Sequence, residues 1–363
     1  MRANKDRARE MDVLGEVSWV SGPVVKVRGL QCTEMMELVF VGTEELPGEV
    51  IRIDEEEITV QVYEETSGLK PGEKVRRLGY PLSVELGPGL VGTIFDGIQR
   101  PLNVLAEESG AFLSKGHFIP ALDRERLWKT SPLVEKGDTL EAGQAFALCQ
   151  ETASLEHRLL CPHGLKGRVL EVSPAEENRV EDPIVQLEDE QGNVHPLRLY
   201  HRWPIKHGRP SHKRLALSKP LITGERIIDT FFPLAKGGTA AIPGGFGTGK
   251  TMTQHALAKW CDADLIVYIG CGERGNEMTQ VLEDFPSLKD PRSGRSLMER
   301  TILIGNTSNM PVAARDASIY TGLTIAEYYR DMGHHVAVMA DSTSRWAEAM
   351  REISSRLEEM PAE

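Results

Sequence analysis

Residues 244–251 read Gly-Gly-Phe-Gly-Thr-Gly-Lys-Thr, and no other stretch limits so strongly what the chain can become. The short run Thr239-Ala240-Ala241-Ile242 before it predicts a strand, and residues 252–260 after it predict a helix. Strand, glycine-rich turn, Lys-Thr and helix form the setting that the GxxxxGK[ST] phosphate-loop pattern requires. Gly244, Gly245, Gly247 and Gly249 let the backbone turn successive N–H groups inward on phosphate oxygens, with Phe246 and Thr248 carried in the same loop. The following helix adds its positive N-terminal end. Lys250 then reaches the β and γ phosphates of a nucleotide, and the Thr251 hydroxyl is placed to hold Mg²⁺. A plain turn before a helix is the alternative, and the flanking segments argue against it.

At 363 residues the chain has room for two or three domains. Its 54 acidic against 42 basic residues give a net charge of −12, which disfavours gripping a polyanion over the whole surface and leaves room for a local basic channel. Cysteines 32, 149, 161, 261 and 271 form no CxxC pair and show no metal-ligand spacing, so they read as reduced thiols in a cytosolic protein. No apolar run approaches the ~18 residues of a membrane span. The charged start MRANKDRARE lacks a following apolar region and reads as a solvated tail.

Residues 1–80 predict a small closed β-barrel behind that tail. Ile58, Val60 and Val62 alternate with Thr59, Gln61 and Tyr63 as in a half-buried strand, and Pro47-Gly48 and Lys70-Pro71-Gly72 read as turns. Residues 81–109 lead into a nucleotide-binding core and include GTIFDGIQRPL at 92–102, whose role periodicity does not reveal. Residues 110–191 predict a β-rich, sandwich-like insert. Its Lys136-Gly137, Ala142-Gly143 and His163-Gly164 turns resemble lipoyl or biotinyl carrier hairpins, but residues 151–156 hold no lysine to modify. His157, Cys161 and His163 lie close together there; without a fourth ligand they read as solvated loop residues.

Residues 192–363 predict the core itself. Its basic stretch 203–214 reads as a solvated linker or subunit contact. Strand-like 265–269, 301–304 and 336–340 alternate with helical segments near 276–282, 311–332 and 344–359, which implies a parallel sheet with ligands at the carboxyl ends of its strands. At those ends stand Asp341, a Walker B-type carboxylate for Mg²⁺, and Glu273, placed to orient or deprotonate an attacking water. An N-capping role is the other reading of Asp341, compatible with the first, and Glu277 is the rival to Glu273.

The segments GTIFDGIQRPL, TGERIIDTFFPLAKGGTAAIPG with the phosphate loop, GCGERGNEMT, and NTSNMPVAARDASIYTGLTIAEYYRDMGHHVAVMADSTSRWAEAMREIS together resemble the catalytic A subunit (alpha chain) of V-type and archaeal-type ATP synthases, from about residue 15 to 363. The resemblance implies a RecA-like core that binds ATP or ADP with Mg²⁺ through residues 244–251. It implies catalysis by Lys250 and Glu273, with Arg274 positioning Glu273 or the phosphate, and Asp341 with Thr251 serving the metal. It also implies an alternating A3B3 hexamer with B subunits, central rotor stalk and peripheral stalk partners, no nucleic acid, and a cytoplasmic complex peripheral to a membrane through which H⁺ or Na⁺ passes. Gly245 stands where many members have proline or alanine. Family members continue beyond the stretch that ends at Glu363, so the sequence reads as a fragment or truncated product. A non-catalytic fragment and a Rho-like hexameric RNA-stimulated ATPase are the alternatives, with a secretion-system export ATPase disfavoured by the large insert.

Overall fold

The computed structural model describes residues 14–109, 115–116, 118–211, 213–245, 247–275, 283 and 285–357. Six antiparallel strands close the N-terminal barrel in the order β1-β2-β5-β4-β3-β6: β1 Leu14–Ser21, β2 Val24–Arg28, β3 Glu37–Val41, β4 Leu46–Ile53, β5 Glu57–Val62 and β6 Lys74–Pro81. Its interior is almost entirely valine, leucine and isoleucine, among them Val25, Val27, Val39, Val60 and Val75. Branched side chains fill a narrow barrel well because they pack close to the pleated backbone.

Two expectations about the barrel change. Pro47-Gly48 is strand interior, and the turn falls at residues 42–45, where Gly42 and Glu45 take positive φ. A Cβ at Gly48 would lie 2.7 Å from Val60 Cγ1, so glycine is there for close approach of two strands. Strand β5 is also buried on both faces. Thr59 and Gln61 are covered on the outer face, where Lys26, Arg52 and Glu49 stand beside them in register.

A short strand β7 (Ser83–Leu86) leads to β8 (Ile94–Phe95) and helix α1 (Leu102–Ser109). Here GTIFDGIQRPL acquires a physical meaning. Asp96 Oδ1 accepts the amides of Ile98 and Arg100 at 3.0 and 2.8 Å, and the Arg100 guanidinium pairs with Asp96 Oδ2 at 2.7 Å and with Glu64 of the barrel. A Cβ at Gly97 would fall 2.0 Å from the Ala314 carbonyl. The segment is a buried charged clasp between barrel and core, set by contacts distant in sequence.

Beyond it come β9 (Trp128–Pro132), β10 (Thr139–Leu140), β11 (Ala145–Gln150), β12 (Glu156–Leu160), β13 (Gly167–Val172), β14 (Glu177–Asn178), β15 (Val185–Asp189) and β16 (Val194–Leu197). They form two four-stranded sheets, β10-β13-β15-β16 and β12-β11-β9-β14. Strand β17 (His201–Pro204) returns the chain to pair with β7. After β18 (Pro220–Leu221), α2 (Arg226–Phe231) and β19 (Leu234–Ala235) come α3 (Lys250–Trp260), β20 (Leu265–Glu273), β21 (Thr301–Thr307), α4 (Val312–Asp331), β22 (Val336–Asp341) and α5 (Thr343–Arg356). The core sheet is parallel, in the order β22-β20-β21-β8. The expected helix at 276–282 lies outside the described residues. The expected strand at 239–242 is absent: residues 239–245 join no ladder, and the core sheet ends at β22, itself only partly buried. A run whose only large apolar side chain is Ile242 offers little burial to hold a parallel edge strand.

The expectation of solvated residues around 157–163 is overturned for two of the three. His157 is fully buried on β12 and Cys161 nearly so. The His157 ring bonds Glu151 Oε2 at 2.7 Å and the Tyr328 hydroxyl at 2.8 Å. Glu151 Oε1 also accepts the Gly89 and Val91 amides at 2.8 and 3.1 Å, and the Tyr329 hydroxyl donates to the same carboxylate at 2.9 Å. The basic stretch is likewise not wholly solvated. Buried Arg209 donates to Asp331 at 2.8 Å, and Lys206 reaches Glu49 of the barrel at 2.6 Å.

Burial pushes the Glu151 carboxyl up, but the His157 ring and the two backbone amides outweigh it and hold it below the usual carboxylate range. Its folded-state value is thus depressed, so its contribution to stability is complete at neutral pH and is lost as pH falls through that value. Glu151→Ala, which strands a buried histidine, a tyrosine hydroxyl and two amides, should destabilise the protein by about 3–5 kcal/mol. Urea unfolding followed from pH 7 into acid checks both magnitude and sign, since the stability gap between parent and mutant should narrow as pH falls through the depressed value.

Candidate functional site

Parallel pairing fixes where the chemistry can occur. Gly270 of β20 stands opposite Asp341 of β22, and Cys271 opposite Asn306 of β21, so all three strands end at one edge of the sheet. Helix α3 packs on one face of these strands through Leu257 and Ala258 against Ile266, Tyr268, Leu303 and Met339.

Asp341 closes β22 at 3% exposure. Its Oδ2 accepts the Thr251 hydroxyl at 2.7 Å and the Tyr268 hydroxyl at 3.3 Å. A side chain from the first turn of α3 thereby meets one from a strand end 90 residues later. One hydroxyl and one carboxylate facing each other make the oxygen donor set that suits Mg²⁺, which keeps several waters and takes few protein ligands. The Tyr268 hydroxyl was not anticipated, since in sequence it is one more large residue in an apolar strand.

Gly249 caps α3 at φ 82° and Gly247 has φ 77°, both in the left-handed region that side chains rarely enter. The Lys250 ammonium folds back onto the Gly244 and Gly245 carbonyls at 2.8 and 2.7 Å, and the Thr248 hydroxyl donates to the Gly245 carbonyl at 2.8 Å. The cation is thus held against the loop by two neutral carbonyls, which an anionic phosphate oxygen can replace with a partner of opposite charge. Phe246 lies outside the described residues.

Glu273 is the last residue of β20 and is partly buried. Its carbonyl accepts the Ser308 amide at 2.8 Å, tying the strand end to the turn that starts α4. Arg274 follows it as an exposed residue. Glu277 lies outside the described residues. Cys271, just inside the edge, is a poor nucleophile because burial pushes its thiol up to about 11. All five cysteines are free thiols.

Three family models match the chain: "ATP synthase alpha/beta family, nucleotide-binding domain" over residues 224–363, "ATPsynthase alpha/beta subunit barrel-sandwich domain" over 119–206, and "ATP synthase alpha/beta family, beta-barrel domain" over 17–79. The V-type ATP synthase alpha chain of Halothermothrix orenii is 60% identical over 353 residues, covering 97% of this chain and 60% of its own length. The V-type ATP synthase alpha chain 2 of Clostridium tetani is 58% identical over 351 residues, covering 97% and 59%. The matching chain of the A-type ATP synthase of Methanopyrus kandleri shows the same identity and coverage. The chain therefore spans about 60% of the length of these curated relatives. Among solved structures, the assembled ATPase EscN from the enteropathogenic E. coli type III secretion system superposes with a TM-score of 0.63 at 22% identity, covering 96% of this chain and 61% of that one. This likeness speaks for the fold alone.

The loop geometry separates two adjacent glycines. A Cβ at Gly245 would meet nothing within 4 Å, whereas one at Gly244 would lie 2.5 Å from Thr248 Oγ1. Gly245→Ala should leave ADP affinity nearly unchanged, while Gly244→Ala should weaken it about tenfold or more, roughly 1.4 kcal/mol. Titration with a fluorescent ADP analogue compares the two.

Proposed function

The chain belongs to the ATP synthase alpha/beta family, and from that premise we propose that it is the catalytic subunit of a rotary V/A-type ATPase or ATP synthase, coupling ATP hydrolysis or synthesis to H⁺ or Na⁺ transport. The observation that carries this reading is the 2.7 Å bond from Thr251 Oγ1 to Asp341 Oδ2, which brings the end of the phosphate loop to the end of the neighbouring apolar strand. In this reading residues 244–251 cradle the phosphates of ATP or ADP, and the α3 N-terminus adds its dipole. Thr251 and Asp341 would hold Mg²⁺, which when bound offsets phosphate charge. Lys250 exchanges its two carbonyl acceptors for β and γ oxygens. Glu273 aligns the attacking water and draws its proton, and Arg274 holds Glu273 or the γ-phosphate in place.

The proposed partners are B subunits alternating with this chain in an A3B3 hexamer, together with central and peripheral stalk subunits, in a cytoplasmic assembly that touches the membrane sector indirectly. No helix among the described residues is long and apolar enough to cross a membrane. The exposed acidic turn at residues 54–56 supports protein partners for the barrel over RNA. One arginine supplied in trans by the B subunit completes the site, an effect worth on the order of 10³–10⁵ in rate in phosphate-loop enzymes.

Lys250→Ala should abolish nucleotide binding. Glu273→Gln should retain binding while lowering hydrolysis by the assembled complex on the order of 10²–10⁴-fold. The isolated chain should bind nucleotide weakly and turn it over hardly at all. Calorimetric titration and a coupled ATPase assay on monomer and complex test these statements, and vigorous hydrolysis by a verified monomer would defeat the trans-arginine part.

A further inference from the structure

The pairing of β20 with β21 slips at one place. Cys271 stands opposite Asn306, and the next pair is Glu273 opposite Thr307, so Gly272 is an extra residue with no partner. An extra residue in one strand reverses the faces of everything after it. Up to that point the alternation is regular. Leu265, Val267, Ile269 and Cys271 join the core that contains Ala313, Ala317 and Tyr329 of α4. Ile266 and Tyr268 join the cluster beneath α3. A strand without the slip would turn residue 273 toward α4.

We infer that Gly272 is a positioning residue whose bulge swings Glu273 from the α4 face of the sheet to the α3 face, where the phosphate loop and the Thr251–Asp341 pair lie. The partner strands show the same sidedness. Thr307, opposite Glu273, alternates with Leu303 and Gly305 on the α3 side, while Asn306 falls in step with Ile302 and Ile304 on the α4 side. Asp341 is likewise in step with Met339 on the α3 side.

Only glycine fits the bulge. Its φ is +74°, and a Cβ there would lie 2.8 Å from Arg345 Cβ and 2.9 Å from Arg315 Cδ and Nε. These arginines come from the first turns of α5 and α4, and Arg315 donates to the Ser308 carbonyl at 2.9 Å. Ser308 returns its amide to the Glu273 carbonyl at 2.8 Å, which pins the strand end beyond the bulge. A side chain at residue 272 would therefore meet both arginines and would also be strained by the positive φ.

The inference rests on the assignment of Glu273 proposed above, and the experiment separates the two. ATP hydrolysis and ADP affinity are measured for the complex assembled with B subunits, carrying the parent chain, Glu273→Gln or Gly272→Ala. The expected result is a kcat lowered on the order of 100-fold in both variants, with ADP affinity within about threefold of the parent. A purely structural glycine would lose affinity together with rate. If Glu273→Gln hydrolyses at the parent rate, the Glu273 assignment falls. If Glu273→Gln is inactive and Gly272→Ala is fully active, the bulge inference falls. Should Gly272→Ala fail to assemble, a crystal structure of the parent complex with a non-hydrolysable ATP analogue decides. Glu273 on the Tyr268 side, within about 6 Å of the γ-phosphate so that one water bridges them, supports the inference, and Glu273 on the Cys271 side overturns it.

Discussion

Parallel pairing of β20 between β21 and β22 is the constraint from which the site follows. Parallel strands share a direction, so their carboxyl ends gather at one edge, and side chains far apart in sequence become neighbours there. The central strand is buried along nearly its whole length, from Leu265 to Gly272. Its apolar residues divide between two covering helices, α4 on one face and α3 on the other. The polar groups that end the strands thus stand on a rigid base, and a displacement of α3 would carry Thr251 away from Asp341.

Helix α4 carries this order outward. Among its buried residues are small ones, including Ala313, Ala314, Ala317, Ser318 and Gly322, which let the helix lie close on the sheet. A Cβ at Gly322 would come 2.3 Å from Ile269 Cδ1, so the approach leaves no room for even a methyl group. Toward its C-terminus the same helix presents Tyr328, Tyr329 and Asp331 to the insert and to Arg209, while Thr321 bonds the Gly97 carbonyl of the clasp at 2.8 Å. The helix that sets the strand ends also fixes the barrel and the insert to the core. Burying Glu151, His157, Arg100 and Asp96 there costs solvation, and their mutual bonds offset it only in one arrangement. Such groups specify a geometry more than they add stability.

Local chemistry made part of this visible in the sequence. The phosphate loop, the long helix beginning after Pro311, the apolar strand ending at Asp341 and the barrel valines all follow from spacing and residue type. What stayed hidden depends on contacts across the chain. Nothing near His157 in sequence announces that Tyr328 lies 171 residues away in position to bond it. Pro47-Gly48 carries the signature of a turn, yet the demand for close strand approach outweighs it. The strand expected at 239–242 fails for a related reason, since propensity cannot replace neighbours that bury the segment. Gly272 belongs to the same class, because the bulge shows only in register and a lone glycine before Glu273 reads as a strand end.

The two sides of the core also differ in what covers them among the described residues. The α4 side is enclosed by the insert and barrel. On the other side α2 buries none of its residues, α3 buries only Gln254 and Ala258, and Phe231, Phe232, Ile227 and Met252 are mostly exposed. The phosphate loop hangs from this lightly packed side, while Glu273 ends the buried central strand and Asp341, at 3% exposure, ends the edge strand beside it. The Thr251 hydroxyl, bonded to Asp341 across the boundary, is where the two meet.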